Sequence, residues 1–316
     1  MEERGIELAR PVDLSLTCGP ITRGRRDPSN RVSVDELWRA TNTPDGVATI
    51  HVRVDARRAR AFVRTWGEGA GWAMHHAPAL IGCDDDGDIE TEHPAVRDAV
   101  AATRGLRIGA ARAVMDVALP TVIDQRVTGV EAKRTWFGLV RSHGRPAPGP
   151  MPLVVPPAAS VIAELSDLDR RRYGLELRRG VALATVARQA DRLQRAADLG
   201  SASLQRMLMD LPGVGIWTAA TIGQLVCGDA DAVPVGDWHL PRIVGWALAQ
   251  EPRADDDRML ELLEPFRPHR GRVVRALVAA GSGPARTAPR AEIPDLLGRE
   301  LRGERDFRVR RTLRFD

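Results

Sequence analysis

Two short segments in the C-terminal half of the sequence carry residue types that suggest chemistry. The first is LPGVGIWTA at 211–219, where Gly213 and Gly215 separate two predicted helices. Glycine permits a left-handed backbone and the close approach of a partner to the main chain. The second helix begins there with unpaired N–H groups, which can bind a phosphate without any charged side chain. An ordinary helix–helix corner with a glycine cap explains the same pattern, so the segment alone leaves both interpretations open.

The second segment is VPVGDWHL at 233–240, in which Asp237 follows Gly215 by twenty-two residues and opens a predicted helix. Asp237 is a good helix N-cap, and capping alone explains its presence. A carboxylate capped on one face stays ionised, because helix N-terminal amides favour its charged form. Beside a bound sugar, such a carboxylate can stabilise an oxocarbenium-like transition state or position a water molecule.

Backbone carbonyl groups at the end of the first of these helices face the same turn. We predict that they can hold a monovalent cation, Na⁺ or K⁺, with the carbonyl oxygens of Met209, Leu211 and Val214 as ligands. We expect no other cofactor.

The elements that must position these segments fall into a strand-rich and a helix-rich part. Residues 1–90 are predicted to form an antiparallel sheet domain, and the clearest strand is the alternating β-branched run at 47–54. Residues 12–16 also alternate between apolar and polar. We predict two helices in the same part, one of them over 55–66. The acidic run at 84–88 is interpreted as a flexible domain boundary.

Apolar residues recur at three-to-four spacing after the acidic run, which predicts helices. A linker-like break lies at 144–150, and no repeat of fixed period is visible. The predicted helices span 93–103, 111–122, 128–143, 158–166, 178–198, 203–209, 216–227, 238–250, 255–264 and 269–280. We therefore expect an α+β protein with a helical region over 91–283 and a basic tail over 284–316.

The composition of the 316 residues, 43% hydrophobic and 28% charged, is typical of a soluble globular protein. No apolar run is long enough to span a membrane, and the N-terminus lacks the apolar core of a secretory signal. Three widely spaced cysteines (Cys18, Cys83 and Cys227) argue against a disulfide scaffold, a four-cysteine iron–sulfur cluster or a CxxC site. We therefore predict a cytoplasmic protein that is a monomer and has no membrane partner.

The positive charge is concentrated near the C-terminus. Residues 265–316 contain 13 basic and 6 acidic side chains, whereas residues 1–264 contain 33 and 36. A localised basic surface suggests a polyanion such as nucleic acid, although a solvated charged tail is an equal alternative. Lys133 is the only lysine, and the other basic residues are arginines.

Together, the two segments resemble the helix-hairpin-helix signature with its Gly/Pro…Asp element (HhH-GPD) of a DNA glycosylase superfamily. Within it, the chain resembles bacterial DNA-3-methyladenine glycosylase II. GLRI at 105–108 and VIDQRVT at 122–128 are similar to that family's first helical region and wedge loop. PVDLSL at 11–16 is similar to the start of its N-terminal sheet domain, which is like that of the TATA-binding protein. The resemblance covers residues 10–283.

This resemblance implies a nucleoid-associated enzyme of base excision repair, acting on double-stranded DNA that contains damaged bases. Such an enzyme flips the damaged nucleotide into a pocket and hydrolyses its glycosidic bond. Alkylated purines carry positive charge and leave readily, so Asp237 suffices as the catalytic residue. Relatives that also cut the strand have a lysine where this chain has Trp217, and tryptophan cannot form a Schiff base. The resemblance therefore implies a monofunctional enzyme that leaves an abasic site.

Further site residues follow from the same resemblance. The implied base pocket is formed by Trp217, Trp238, His239, Thr221 and Pro20. The implied DNA contacts are Gly213, Gly215, Gln125, Arg126, Arg267 and Arg270, with Arg272 as a further candidate phosphate contact. Trp217 can stack on an electron-poor base, an interaction of about 0.5–2 kcal/mol. Arg126 lies where the family places the residue that fills the gap left by the flipped base. A helix-packing tryptophan and a surface arginine are the plain alternatives.

The sequence departs from the family at the pocket. The positions that correspond to the family's pocket aromatics are Pro20, Thr221, Val278 and Ala279, and none of them is aromatic. We therefore expect a roomier or less cation-selective pocket than in the relatives.

Two alternatives remain at this point. A non-catalytic DNA-lesion binder would keep the hairpin and lose the chemistry. A nucleotide-binding oxidoreductase is suggested by GEGAG at 67–71, although we predict no strand before this run and the glycine fingerprint is incomplete.

Overall fold

The N-terminal part of the computed structural model, which describes residues 1–85 and 87–284, is a five-stranded antiparallel sheet. Its strand order is β1-β5-β4-β3-β2. The strands are β1 (Glu2–Glu7), β2 (Asn30–Val32), β3 (Glu36–Thr43), β4 (Gly46–Asp55) and β5 (Arg60–Trp66). A small hairpin, β6 (Arg145–Pro146) and β7 (Val154–Val155), packs on β3 through Ala40, Leu153 and Val155. The predicted α+β class and N-terminal sheet are confirmed.

Two local predictions in this part are wrong. Residues predicted as a helix over 55–66 form a turn and then β5, because Ala61, Val63 and Thr65 at alternate positions are buried against the core. The alternating residues 12–16 enter a short helix, α1 (Leu14–Cys18), instead of a strand. The Asp13 carboxylate caps this helix by accepting the N–H of Leu16 at 3.0 Å.

The glycine-rich run at 67–71 is explained by packing. It directly follows β5, so the prediction that no strand precedes it is wrong, and it leads into α2 (Ala70–Leu80). A side chain at Gly67 would collide with the Val47 carbonyl oxygen, and one at Gly69 with the side chain of Thr43. Because the preceding strand belongs to an antiparallel sheet, the run lacks the parallel βαβ setting of a dinucleotide site.

The rest of the described chain is mainly helical. They are α3 (Pro94–Ala102), α4 (Val114–Ile123), α5 (Gly129–His143), α6 (Ala159–Glu164), α7 (Asp167–Arg172), α8 (Leu177–Arg188), α9 (Ala190–Asp198), α10 (Ser201–Met209), α11 (Ile216–Cys227), α12 (Leu240–Ala249), α13 (Asp256–Leu263) and α14 (Arg270–Ala279). Most predicted helices are confirmed to within a few residues. The predicted helix 178–198 is two helices, α8 and α9, and α7 has no counterpart among the predictions.

Two clusters of buried side chains hold these elements together. The larger one joins the sheet to α1, α2, α4, α5, α6, α8, α9, α10 and α11, and the smaller one joins α3 to α12, α13 and α14. No helix in the described residues is long and apolar enough to cross a membrane. The division into domains near residue 90 stays a prediction, and the predicted tail at 285–316 lies outside the described residues.

The acidic run is anchored where the sequence suggests flexibility. The side chain of Asp85 is only 3% exposed. It pairs with Arg272 of α14, whose Nη1 lies 2.7 Å from Asp85 Oδ2. Asp85 also accepts the N–H of Ile108 at 2.9 Å. Burial opposes ionisation of Asp85, but these hydrogen bonds outweigh it and hold the pKa of the carboxyl below its usual value. Arg272 is therefore buried and paired with a carboxylate, which argues against its predicted role as a phosphate contact.

Candidate active site

The two positions between α10 and α11 that hold glycine differ in backbone conformation and in packing. Gly213 has a φ of +85°, and an added Cβ would lie 2.7 Å from the Cβ of Ala182 in α8. Both the left-handed backbone and this close packing require glycine. Gly215 is extended, with a φ of −104°, and an added Cβ would meet nothing within 4 Å. The space above Gly215 is therefore open to a partner.

The start of α11 is also open. Gly215 provides no side-chain cap, and no acceptor in residues 1–85 and 87–284 bonds to the N–H groups of Ile216, Trp217 or Thr218. These unpaired groups at the positive end of a twelve-residue helix form a favourable place for an anion. The geometry is the one that the sequence predicts for phosphate binding, and the role itself stays a prediction.

The predicted cation ligands lie in the same turn. The Leu211 carbonyl accepts the N–H of Val214 at 3.0 Å, which leaves this oxygen a second lone pair. Met209 ends α10, and Val214 is buried. The three carbonyls are therefore close along the chain, and the cation site stays a prediction.

Asp237 is held in place by three hydrogen bonds. Its Oδ1 accepts the backbone N–H groups of His239 at 2.8 Å and Leu240 at 3.0 Å. Its Oδ2 accepts the indole N–H of Trp217 at 3.0 Å. Helix α12 begins at Leu240 with His239 as its N-cap residue, so Asp237 is not the N-cap that the sequence predicts. Its carboxylate instead accepts the N–H groups of the N-cap residue and of the first helical residue from two positions before the N-cap. The bond from the Trp217 indole joins Asp237 to the first turn of α11, across twenty residues of sequence.

The predicted pocket residues differ in their exposure. Trp217 is half-buried, and its carbonyl accepts the Thr221 hydroxyl at 2.8 Å, so these two side chains share one face of α11. The side chains of Trp238 (81% exposed), His239 and Pro20 are exposed, as is Val278. Four of these side chains are thus exposed, and the pocket roles of the predicted residues stay predictions.

The turn between α4 and α5 presents one exposed arginine. Arg126 has a φ of +56°, a left-handed conformation that costs a non-glycine residue roughly 1–3 kcal/mol. In the described part of the chain its guanidinium forms no ion pair or hydrogen bond. Such strain persists only where the surroundings hold it, and it is common at functional sites.

Two contacts hold the start of this turn. The Asp124 carboxylate pairs with Arg23, and burial raises the pKa of this carboxyl while the charges of Arg23 and Lys133 act against the rise. The Ile123 carbonyl accepts a hydrogen bond from Arg179 of α8 at 3.2 Å. These partners lie 101 and 56 residues away and leave no local signal in the sequence.

Arg270 is also placed differently from the prediction. Its Nε and Nη2 donate to the two oxygens of Asp231 at 2.9 and 2.6 Å, and its side chain is 14% exposed. These bonds raise the pKa of Arg270. Arg267 is more exposed, at 53%, but its Nε donates to Glu264 at 2.7 Å. Both guanidiniums therefore already have acidic partners, which weakens their case as phosphate contacts.

Solved structures of the same fold are DNA glycosylases. A 3-methyladenine DNA-glycosylase from Archaeoglobus fulgidus superposes with a TM-score of 0.73 at 16% identity, covering 88% of this chain and 98% of that one. An 8-oxoguanine glycosylase/lyase from Clostridium acetobutylicum gives 0.65 at 13% identity, covering 88% and 96%. Its complex with double-stranded DNA containing cytosine opposite 8-oxoG gives 0.60 at 15% identity, covering 87% and 95%.

No family model matches the sequence, and no curated protein matches it. At these identities the structural likeness establishes only the fold, which this chain shares with these solved DNA glycosylases. Membership of the helix-hairpin-helix superfamily stays a prediction. The closer resemblance to 3-methyladenine glycosylase II stays a prediction.

Proposed function

We propose that this protein is a monofunctional DNA N-glycosylase that flips alkylated purines of the 3-methyladenine and 7-methylguanine type out of duplex DNA and hydrolyses their glycosidic bond. The observation that carries the proposal is the Asp237 carboxylate, fixed by two backbone N–H groups and the Trp217 indole beside the open start of α11. The shared glycosylase fold supports it, and a 3-methyladenine DNA-glycosylase is among the structures with that fold.

The arrangement of Asp237 suits stabilisation of a sugar cation. A carboxylate has about four lone-pair sites, and three are used here, so acceptor capacity remains on Oδ2. The carboxylate can then stabilise positive charge that develops on the deoxyribose, or orient the attacking water. An alkylated purine already carries positive charge, so its departure needs no general acid.

Binding of DNA is assigned to the open N–H groups of α11 and to Arg126. A phosphate oxygen at the start of α11 would accept these N–H groups directly. Arg126 would fill the space left by the flipped nucleotide, where its guanidinium plane can stack on bases.

Hydrolysis without strand cleavage follows from the side chain at position 217. A lyase step needs an amine that forms a Schiff base with the sugar, and an indole cannot do this. Lys133, the only lysine, is exposed on α5, and its charge acts on Asp124 in the α4–α5 turn. We therefore propose base release alone, unlike the glycosylase/lyase with which the chain shares its fold.

Base release from alkylated DNA tests the proposal. The substrates are methylated duplex DNA and duplexes containing hypoxanthine, ethenoadenine or 8-oxoguanine, and the proteins are wild type, Asp237→Asn and Asp256→Asn. We expect wild type to release methylated purines and Asp237→Asn to be slower by at least about 100-fold, with DNA binding retained. Asp256→Asn is the matched control, because Asp256 accepts the N–H of Gly236 at 3.1 Å close to the site.

Two outcomes would contradict the proposal. Full activity of Asp237→Asn would remove the catalytic role of this residue, and release of no base by wild type, with tight binding to damaged DNA, would favour the non-catalytic lesion binder. Borohydride treatment during the reaction should trap no protein–DNA adduct. If an adduct forms and Lys133→Gln abolishes it, the enzyme is a lyase that uses Lys133.

A further inference from the structure

One side chain links the α4–α5 turn to the helical hairpin formed by α10, α11 and the turn between them, which is called the hairpin below. The amide nitrogen of Gln125 donates to the Gly213 carbonyl at 3.0 Å and to the Thr218 hydroxyl at 2.9 Å. Because a carbonyl oxygen only accepts, the nitrogen of the amide and not its oxygen must face Gly213. Both N–H groups of this amide are then used, and the nitrogen has no donor left for DNA.

The two acceptors bracket the open end of the hairpin. Gly213 lies in the turn before Gly215, and Thr218 lies in the first turn of α11, where it is 2% exposed. One amide therefore holds the residues on both sides of the N–H groups that we assign to phosphate binding.

The next residue in the chain is Arg126, with its strained backbone and exposed side chain. Release of Gln125 would let the peptide before Arg126 rotate, because the left-handed conformation is unfavourable for arginine without support. The contact between Gln125 and the turn before α11 would thus help to hold Arg126 in place, together with the contacts of Asp124 and Ile123.

We propose that Gln125 is a positioning residue and not a DNA contact. It couples the turn that carries Arg126 to the turn before α11. Arg126, which fills the duplex, and the N–H groups of α11, which hold the phosphate, then move as one unit. The inference rests on the proposed function, because it assumes that the protein extrudes a nucleotide.

The test measures extrusion separately from binding and catalysis. A methylated-purine lesion is placed beside 2-aminopurine in duplex DNA, and the fluorescence rise on mixing reports loss of stacking. All variants are made in an Asp237→Asn background, and affinity is measured on the same duplex. We expect Gln125→Ala to slow extrusion by about 5- to 10-fold, as the loss of two hydrogen bonds implies, and to change affinity by less than about twofold.

Two further variants separate positioning from simple structural loss. Gln125→Glu should be as slow as Gln125→Ala, because a carboxylate cannot donate to the Gly213 carbonyl. Thr218→Val should slow extrusion in the presence of Gln125 and add little in its absence, since the two residues share one interaction. The control is Gln250→Ala, which removes a similar amide-to-carbonyl bond at the end of α12, and it should extrude at the rate of the Asp237→Asn parent.

Each contrary outcome has a distinct meaning. If the parent protein extrudes and Gln125→Ala extrudes at the same rate, the positioning role is wrong. If affinity and extrusion fall together in Gln125→Ala but not in Gln250→Ala, Gln125 contacts DNA. If the Asp237→Asn parent does not extrude the nucleotide and the wild-type protein releases no base, the proposed function itself fails.

Discussion

The starts of α11 and α14 show opposite ways of treating a helix N-terminus. At α11 the first N–H groups have no acceptor in the described part of the chain, and no charged side chain lies between residues 211 and 219. At α14 the N–H of Arg270 donates to Asp231 at 3.1 Å, and the same carboxylate binds its guanidinium. The helix rich in arginine is thus closed by acidic partners, whereas the uncharged helix is open.

Other arginines of α14 are also used inside the protein. Arg272 pairs with buried Asp85, and Arg275 donates to the carbonyls of Leu16 and Thr17 at the end of α1. Burial lowers the pKa of Arg275 to about 10, so it remains charged at neutral pH. Arginine content therefore fails to locate an anion-binding surface here, because an ion-paired guanidinium must lose its partner before it can bind a phosphate.

Breaking the buried pair at α14 should have the largest effect on stability. We expect Asp85→Asn to lower the free energy of unfolding by about 3–5 kcal/mol, because it leaves Arg272 buried without its counter-charge. The pKa of Asp85 is depressed in the folded protein, so its contribution is complete above about pH 5 and is lost as the pH falls below the unfolded value near 4. Chemical denaturation at pH 7 and pH 3 measures this, and Asp88→Asn is the exposed control. Equal loss in both variants at pH 7 would contradict the difference in burial.

The two hairpin glycines separate folding from binding. Gly213→Ala should cost about 1–2 kcal/mol of stability, because alanine must adopt a left-handed backbone against Ala182. Gly215→Ala should leave the free energy of unfolding within about 0.5 kcal/mol and weaken DNA binding by roughly tenfold, as the added methyl group blocks the approach of a phosphate. Thermal unfolding and fluorescence anisotropy with duplex DNA measure the two effects. Unchanged affinity in Gly215→Ala would move the phosphate site away from α11.

Trp217→Phe tests the contribution of the indole hydrogen bond to the chemical step. Phenylalanine keeps an aromatic face but removes the N–H that donates to Asp237. We expect about a tenfold loss in kcat with little change in KM, the effect of losing one hydrogen bond to a charged group. Single-turnover base release measures it. A rise in KM with unchanged kcat would instead indicate that the indole serves mainly to stack on the base.

The smallest effect on DNA binding is expected at Arg270. Arg270→Gln should lower stability by about 1 kcal/mol through loss of the pair with Asp231, and change affinity for DNA by less than about twofold. The slope of log affinity against log salt should also change by much less than one, since no phosphate contact is lost. A change in slope near one would return Arg270 to the DNA interface.

Local patterns predict much of this fold. The predicted helices 216–227 and 128–143 are confirmed to within a residue, because long apolar periodicity and clear caps such as Thr128 act locally. The predicted helix over 55–66 is wrong because its apolar residues belong to β5, which pairs with β1 and β4. The flexibility predicted for 84–88 is not found at Asp85, because Asp85 has a partner 187 residues away.

The sequence alone indicates the turn between α10 and α11, its two glycines and an aspartate just before α12, because each depends on residues within a few positions. The tertiary structure sets which distant residues these elements contact. It brings the Trp217 indole to Asp237, the Gln125 amide to the hairpin and Asp231 to Arg270. Such pairings are set by how the helices pack, and a charge or an amide in the sequence carries no record of the partner that will satisfy it.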